Sequence, residues 1–447
     1  MAEDEVRRLP SVDRLVAAAG DGPRVLLVES ARAALAEART AALRGTQAPE
    51  FEDLVEKTRA RAAQAMAPSL RRVVNATGVI LQTNLGRAPL SARAVAAMAD
   101  VAAGYSNLEY DVDAGERGSR HEHVRELIRQ TTGAEDGLVV NNNAAALLIV
   151  LQVLARGREV IVSRGQAVEI GGGFRIPDVL VQSGARLVEV GTTNRTYARD
   201  YAAAVSSETA AILRVHSSNF QVVGFTAEPT LAELVAVGRE RGVLVFDDLG
   251  SGCLVDTAQF GLAHEPTVQE SLAAGTDLVM FSGDKLLGGP QCGIIAGRAR
   301  LVAELRRHPL ARALRIDRMT IAALNATLAA YAAGTALEEL PVWRMAGEPD
   351  ALIRRRARRW ARAGGGKVTG SISMVGGGSL PGQGVKTWCC SLDKNASAVA
   401  ERLRRHNPPV IARIEHGAVL LDPRTVAVTD DGLVESAIRA AVADSHS

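Results

Sequence analysis

Between about residues 137 and 296, short apolar runs alternate with longer stretches whose apolar positions recur every three or four residues. The short runs are Gly137–Val140, Glu159–Ser163, Arg186–Val190, Ala211–Val215, Val243–Phe246, Leu278–Phe281 and Cys292–Ala296, each bounded by turn residues. The stretches between them include Ala144–Ala155, Leu231–Arg241 and Val268–Ala274. Apolar strands alternating with helices predict an α/β layer: a mostly parallel sheet covered on both faces, with ligands at the carboxyl ends of the strands.

On either side the pattern changes. Ser11 predicts a capped helix through Ala19, broken by Gly20-Asp-Gly-Pro23. A second helix follows from Arg24 to Leu43, and a third begins near Pro49 with Phe51, Leu54 and Val55 on one face. Helices are expected at Ser91–Val101 and Val124–Thr131, with a long charged loop, Gly104–Arg120, between them. After a long helical stretch from Leu301 to about Gly334, the chain reads as a smaller α+β part. Its expected strands are Thr387–Leu392, Val410–Glu415 and Ala418–Leu421, with a closing helix at Leu433–Ala443. This predicts three domains: 1–67, helical; 68–325, the large α/β domain; and 326–447, the small α+β domain.

Composition adds bounds. The 447 residues are 47% hydrophobic with a net charge of +2, enough for a sizeable core and uninformative about partners. The longest apolar run, Ala144–Leu151, is far short of a membrane span, the acidic N-terminus lacks the apolar region of a secretory signal, and the four cysteines, in no disulfide pattern, point to a reducing cytoplasm. Cys253, Cys292, Cys389 and Cys390 have neither zinc spacing nor a disulfide pattern. Small buried filler is the expected role of the first two, and no metal site is expected. The segment 1–65 carries ten basic and eleven acidic residues, so bulk charge lends it no support as a nucleic-acid binder.

The candidate chemistry falls at strand ends. Lys285 follows the run Leu278–Phe281 and precedes a Gly-Gly-Pro turn, in a chain with only five lysines among 52 basic residues. A partly desolvated lysine amine on a short loop suits Schiff-base chemistry. About 37 residues earlier, Asp247-Asp248 ends an apolar run before Leu-Gly-Ser-Gly252, which suits a carboxylate partner for a pyridinium nitrogen, with helix capping or metal ligation as the competing roles. Asn141-Asn-Asn-Ala-Ala-Ala146 opens a helix directly after a strand, where free amides can seat a phosphate or an asparagine can simply cap. Ser282 is placed to donate to a phosphate. The stretches Ser163–Arg175 and Arg214–Phe220, with His216, are expected in the same crevice. Arg312, Arg315 and more loosely Arg318 would share a helical face suited to an oxyanion or to solvent, and the run Arg354–Arg362 suits a solvated face or RNA contact.

Taken in order, Asn75-Ala-Thr-Gly78 through Arg87, Gly115-Glu-Arg-Gly118, Asn141–Ala146, Glu169–Pro177, Gly191-Thr-Thr-Asn194, Ser218-Asn219, Asp248–Gly252, Ser282–Gln291, Gly376–Pro381 and Asp422-Pro-Arg424 resemble the bacterial selenocysteine synthase family, the L-seryl-tRNA(Sec) selenium transferases, nearly end to end. The resemblance implies a type I pyridoxal 5'-phosphate-dependent transferase fold in which Lys285 carries the cofactor and Asp248 faces its ring nitrogen. It also implies further cofactor contacts at Asn143, Ala144, Ala145, His216, Asn219 and Ser282, ring stacking near Gln166, an active-site role for Asp284, and a donor-anion site at Arg87, Arg312 and Arg315. The implied reaction takes seryl-tRNA(Sec) through a cofactor-bound dehydroalanyl-tRNA to selenocysteinyl-tRNA(Sec) with selenophosphate. The implied assembly is a ring of dimers, a decamer, whose N-terminal domains grip the tRNA. Two alternatives stand beside it. One is a same-fold enzyme acting on a free amino acid or amino sugar, against which the extra N-terminal segment speaks. The other is a non-catalytic binder of tRNA or a phosphorylated ligand, against which the Asp248–Lys285 pair speaks.

Overall fold

The computed structural model describes residues 2–171, 173–393 and 395–443; Gly172, within the Glu169–Pro177 motif, and Lys394 lie outside them. The chain divides into two compact units, Met1–Arg72 and Val73–Ser447. In the first, helices Val12–Ala19, Arg24–Leu43 and Phe51–Met66 pack Leu15, Leu27, Ala31, Leu35, Leu54 and Val55 into a core of their own. Ser11 caps the first of these by accepting from Arg14 N. At its other end Arg59 donates to the carbonyls of Ala18 and Ala19 at 2.7 and 2.8 Å, satisfying oxygens the helix leaves open. A short helix, Ala2–Arg7, precedes them; its six residues are too few to give a readable period.

In the second unit seven strands form the main sheet: β1 Asp136–Val140, β2 Glu159–Ser163, β3 Arg186–Val190, β4 Thr209–Val215, β5 Leu244–Gly250, β6 Leu278–Ser282 and β7 Gly293–Gly297. Their order is β1-β7-β6-β5-β4-β2-β3, parallel throughout except β7, which runs antiparallel to both β6 and β1. Strands buried on both faces need apolar cover on both. Helix Asn143–Leu154 is apolar nearly all round and closes one side with Val160, Leu213 and Met280. Ile128, Val268, Ile321 and Leu324 close the other. The antiparallel β6–β7 pair is the geometric reason the Lys285 loop is tight: it links neighbouring strands directly, and Gly283 N donates to Cys292 O at 2.9 Å across its base.

A five-stranded sheet forms the C-terminal layer in the order Arg413–Glu415, Ala418–Leu421, Gly384–Leu392, Lys367–Gly376, Val79–Leu81. The Asn75–Gly78 motif therefore leads into this layer, and it meets the Asp422-Pro-Arg424 motif there. Gly78, at φ 76°, leaves room that an added Cβ would lose, 2.3 Å from Asp422 Oδ2. Asp422 is fully buried and accepts from Ser373 Oγ, Thr387 Oγ1 and Arg424 N, so these two motifs hold structure rather than chemistry. The stretch Val410–Glu415 is two strands rather than one: Val410–Ile411 pairs with Val74–Asn75, and Arg413–Glu415 pairs with Ala418–Leu421. The basic run lies on helix Asp350–Gly364. Of its arginines, Arg356 is buried and donates to Asp431, Pro423 O and Val426 O, pinning the helix to the layer beneath it.

The long helical stretch expected from Leu301 to about Gly334 is made of three helices, Ala299–Arg307, Pro309–Ala313 and Arg318–Ala332. Pro309 starts the second because its ring suits a first-turn position. Asp317 caps the third, accepting from Met319 N and Thr320 N, and between them Arg315 forms a β-bridge with Val140. The single helical face expected for Arg312, Arg315 and Arg318 therefore does not form. Arg312 lies in the last turn of a five-residue helix, Arg315 is extended, and Arg318 begins the next helix.

Candidate active site

Lys285 is 7% exposed, although a lysine ammonium normally stays in water. The loop around it is fixed by its backbone: Leu286 N donates to Ser251 O, Gly288 N to Lys285 O and Gly289 N to Gly283 O. Of the other described lysines, Lys57 and Lys367 pair with exposed carboxylates and Lys386 is exposed. Burial pulls the Lys285 amine below the usual lysine range, the nearby Asp248 charge works against that shift, and Arg87 adds to it. The result is an amine that gives up its proton more readily than a surface lysine.

Asp247 and Asp248 point to opposite sides of the sheet, as neighbours on a strand must. Asp247 is tied up by Arg214 at 3.2 Å and by Ser271 Oγ at 2.6 Å. Asp248 lines the cavity that Lys285 also lines, with Asn143 Nδ2 donating to it at 2.7 Å. Burial pushes its carboxyl up to about 6, and the Asn143 hydrogen bond and the Lys285 charge only partly offset that. A buried carboxylate so placed gains from a cationic partner.

This cavity, about 460 Å³, also holds Asn142, Asn143, Ala144, His216, Ser282 and Asp284. Asn142 caps the helix through Ala145 N at 2.8 Å, so Ala145 has no amide to offer a ligand. The cap leaves the N–H groups of Asn143 and Ala144 without acceptors among the described residues, at the positive end of a twelve-residue helix. Gly293 lets that turn come close, since a Cβ there would lie 2.1 Å from Asn142 O. Asn143 Oδ1 is buried without a partner.

Arg87 sits in the left-handed backbone region at φ 62° and donates to Asp284 Oδ2 at 2.6 Å, while Ala88 N donates to Asp284 O. Arg87 and Asp284 form part of the wall between the lysine cavity and a second one of about 760 Å³, which Arg315 also lines. Arg315 lies 3.8 Å from Glu109, a carboxylate held by Arg120. Arg312 is exposed and lines neither cavity.

Two expected cofactor contacts lie elsewhere. Gln166 is buried with both ends of its amide used, toward Glu228 and toward Val215 N, and it lines a third cavity of about 380 Å³. Asn219 is exposed and donates to Glu169 O at 3.2 Å. Conversely, the glycine-rich stretch 376–378, visible in the sequence without an evident role, covers the lysine. A Cβ on Gly378 would lie 2.6 Å from Lys285 Nζ. Thr83, Ser218 and Gln291 also line the lysine cavity; all three lie within stretches that carry the family resemblance, although none stands out there as a site residue.

Comparison with known proteins places this geometry. The profile of the L-seryl-tRNA selenium transferase family matches residues 73–427. A protein of Geobacter sulfurreducens named L-seryl-tRNA(Sec) selenium transferase is 50% identical over 455 residues, covering 98% of this chain and 96% of that one. One of the same name from Carboxydothermus hydrogenoformans is 47% identical, covering 95% of each. Among solved structures, that of D-glucosaminate-6-phosphate ammonia-lyase superposes with a TM-score of 0.61 at 23% identity, over 86% of this chain and all of that one. The fold is that of the type I pyridoxal phosphate enzymes.

Proposed function

The chain belongs to the L-seryl-tRNA selenium transferase family, and from that premise we propose that it converts L-seryl-tRNA(Sec) to L-selenocysteinyl-tRNA(Sec), with selenophosphate as donor and pyridoxal 5'-phosphate held at Lys285. The observation that carries the proposal is one cavity holding a buried lysine, a buried carboxylate and a helix N-terminus with two unpartnered amides.

The residues fit the cofactor. Asp248 would hold its ring nitrogen, Lys285 its aldehyde carbon, and the amides of Asn143 and Ala144 with Ser282 its phosphate; the side-chain oxygen of Asn143 is a buried acceptor still in want of a donor. When bound, pyridoxal phosphate supplies an electron-withdrawing ring that stabilises negative charge at the α-carbon of an amino acid. The chain's own part is positional and protic. The Lys285 amine, neutralised more easily by burial, takes the α-proton and can return it. Gly378 keeps space over that amine clear. Arg87, steered by Asp284 at the wall between the cavities, would hold the donor's phosphate beside the β-carbon, with Arg315 also lining the second cavity. Net, the Cβ–O bond breaks and the serine hydroxyl leaves as water, the donor's selenium bonds to the β-carbon, and water cleaves the P–Se bond to release inorganic phosphate.

The same reading assigns the helical unit 1–72 to the tRNA, the work to the cytoplasm and the working form to a homo-oligomer. No helix among the described residues is long and apolar enough to cross a membrane. Hydride reduction of the cofactor-loaded protein, followed by peptide mass mapping, tests the centre of the proposal: the cofactor's mass is expected on the peptide containing Lys285. A label on another lysine would refute the assignment.

A further inference from the structure

Among the buried ionisable groups that this scheme leaves unused, Glu265 is one that faces a residue of the lysine cavity. It is 2% exposed, and its backbone is clamped: Glu265 N donates to Thr257 Oγ1 at 2.9 Å, and that hydroxyl donates to Ala263 O at 2.6 Å. Its Oε1 has no hydrogen-bond partner, and neither has Nε2 of His216. Yet the two atoms lie 3.3 Å apart, within reach but out of line. Two buried polar atoms left unpaired at that distance are costly, and a small turn of the imidazole satisfies both.

His216 stands between two cavities. It lines the lysine cavity with Asp248, and its backbone N–H donates to Asp248 O at 2.9 Å; it also lines the cavity of about 380 Å³ that holds Glu265. Glu265 does not line the lysine cavity; its charge is felt weakly at the Lys285 amine, and its nearest contact with the cavity's lining is the imidazole. From this juxtaposition we propose that Glu265 is a positioning residue for the cofactor site: it accepts from Nε2–H of His216, fixing the tautomer and the ring plane that His216 turns into the lysine cavity. A buried carboxylate is suited to this because it orients an imidazole through one nitrogen and leaves the other free.

The inference rests on the reading that the lysine cavity takes pyridoxal phosphate. It is tested on the full-length, cofactor-loaded protein by the position of the visible absorbance band and by the dissociation constant for pyridoxal phosphate. The variants are Glu265→Ala, Glu265→Asp, His216→Asn and the double variant Glu265→Ala/His216→Asn. Glu265→Ala is expected to move the band and weaken cofactor binding about tenfold, the worth of one hydrogen bond to a charged group. Glu265→Asp should restore part of both. Once His216 is Asn, Glu265→Ala should add little to the loss of affinity, because in holding the cofactor the two act as one unit. An undiminished effect in the His216→Asn background, or an unchanged band and affinity in Glu265→Ala, overturns the proposal. If Glu265→Ala does not fold, Glu265→Leu, which fills similar space without an acceptor, carries the same test. A wild-type protein with no visible band would instead refute the cofactor reading itself.

Discussion

Replacing Gly378 with alanine separates backbone strain from interference with the reactive amine. An alanine at φ +79° costs about 1–2 kcal/mol in conformational strain. The new methyl would also lie 2.6 Å from Lys285 Nζ and 2.7 Å from Cε, so the amine must retreat by roughly 0.8 Å to reach ordinary contact. That retreat is cheap for stability, because the end of a lysine side chain can swing. It is expensive for catalysis, since a misplacement on the order of 1 Å can cost about a hundredfold in rate. Gly382 supplies the control: its φ is +73°, but the nearest atom to an added Cβ is Gln221 Oε1 at 3.8 Å. Chemical denaturation and single-turnover kinetics on Gly378→Ala and Gly382→Ala are expected to give similar stability losses, with a rate loss of about a hundredfold in Gly378→Ala alone. Equal turnover in the two variants would refute the view that the glycine-rich loop exists to clear the lysine.

Asp248→Asn should stabilise the cofactor-free protein at neutral pH. The native carboxyl titrates near 6 against 3.8 in the unfolded chain, so its contribution is fully present below the lower value and is lost as pH rises through the higher one. Asparagine removes that loss, worth about 3 kcal/mol, and added pyridoxal phosphate should reverse the ranking; denaturant titrations of both proteins, with and without cofactor, check it. Arg87→Ala should raise the donor concentration needed for half-maximal rate by at least about tenfold and leave the cofactor band in place, as steady-state kinetics with varied selenophosphate would measure. Arg356→Ala leaves the buried Asp431 carboxylate with only the half-exposed Arg359 at 3.7 Å, and calorimetry should register a loss of about 3 kcal/mol with no change in the cofactor band.

Much of this was legible because the main sheet is built from strands buried on both faces. Such strands appear as uninterrupted apolar runs, and the residues just beyond them, Asn143, Asp248 and Lys285, fall at one crevice by topology alone. The C-terminal layer was harder to read. Strand Lys367–Gly376 pairs along its length with Gly384–Leu392, but its sequence is mostly polar and glycine-bearing and shows no apolar run. The arginine cluster failed for a different reason: spacing suggested one helix face, whereas Pro309 and the Asp317 cap divide the segment and a bridge to Val140 holds Arg315. Gln166 and Asn219 follow strands as expected, but their hydrogen bonds to Val215 and Glu169 keep them out of the lysine cavity. Pairings between distant segments, such as His216 with Glu265, leave no trace in spacing at all.

In the proposed reaction the Lys285 cavity acts on an amino acid still joined to RNA. Incubating the cofactor-loaded protein with selenophosphate and, separately, seryl-tRNA(Sec), ordinary seryl-tRNA and free serine tests it most directly. Selenocysteinyl-tRNA is predicted from seryl-tRNA(Sec), with none in Lys285→Ala. Turnover of free serine without turnover of seryl-tRNA(Sec) would contradict the account.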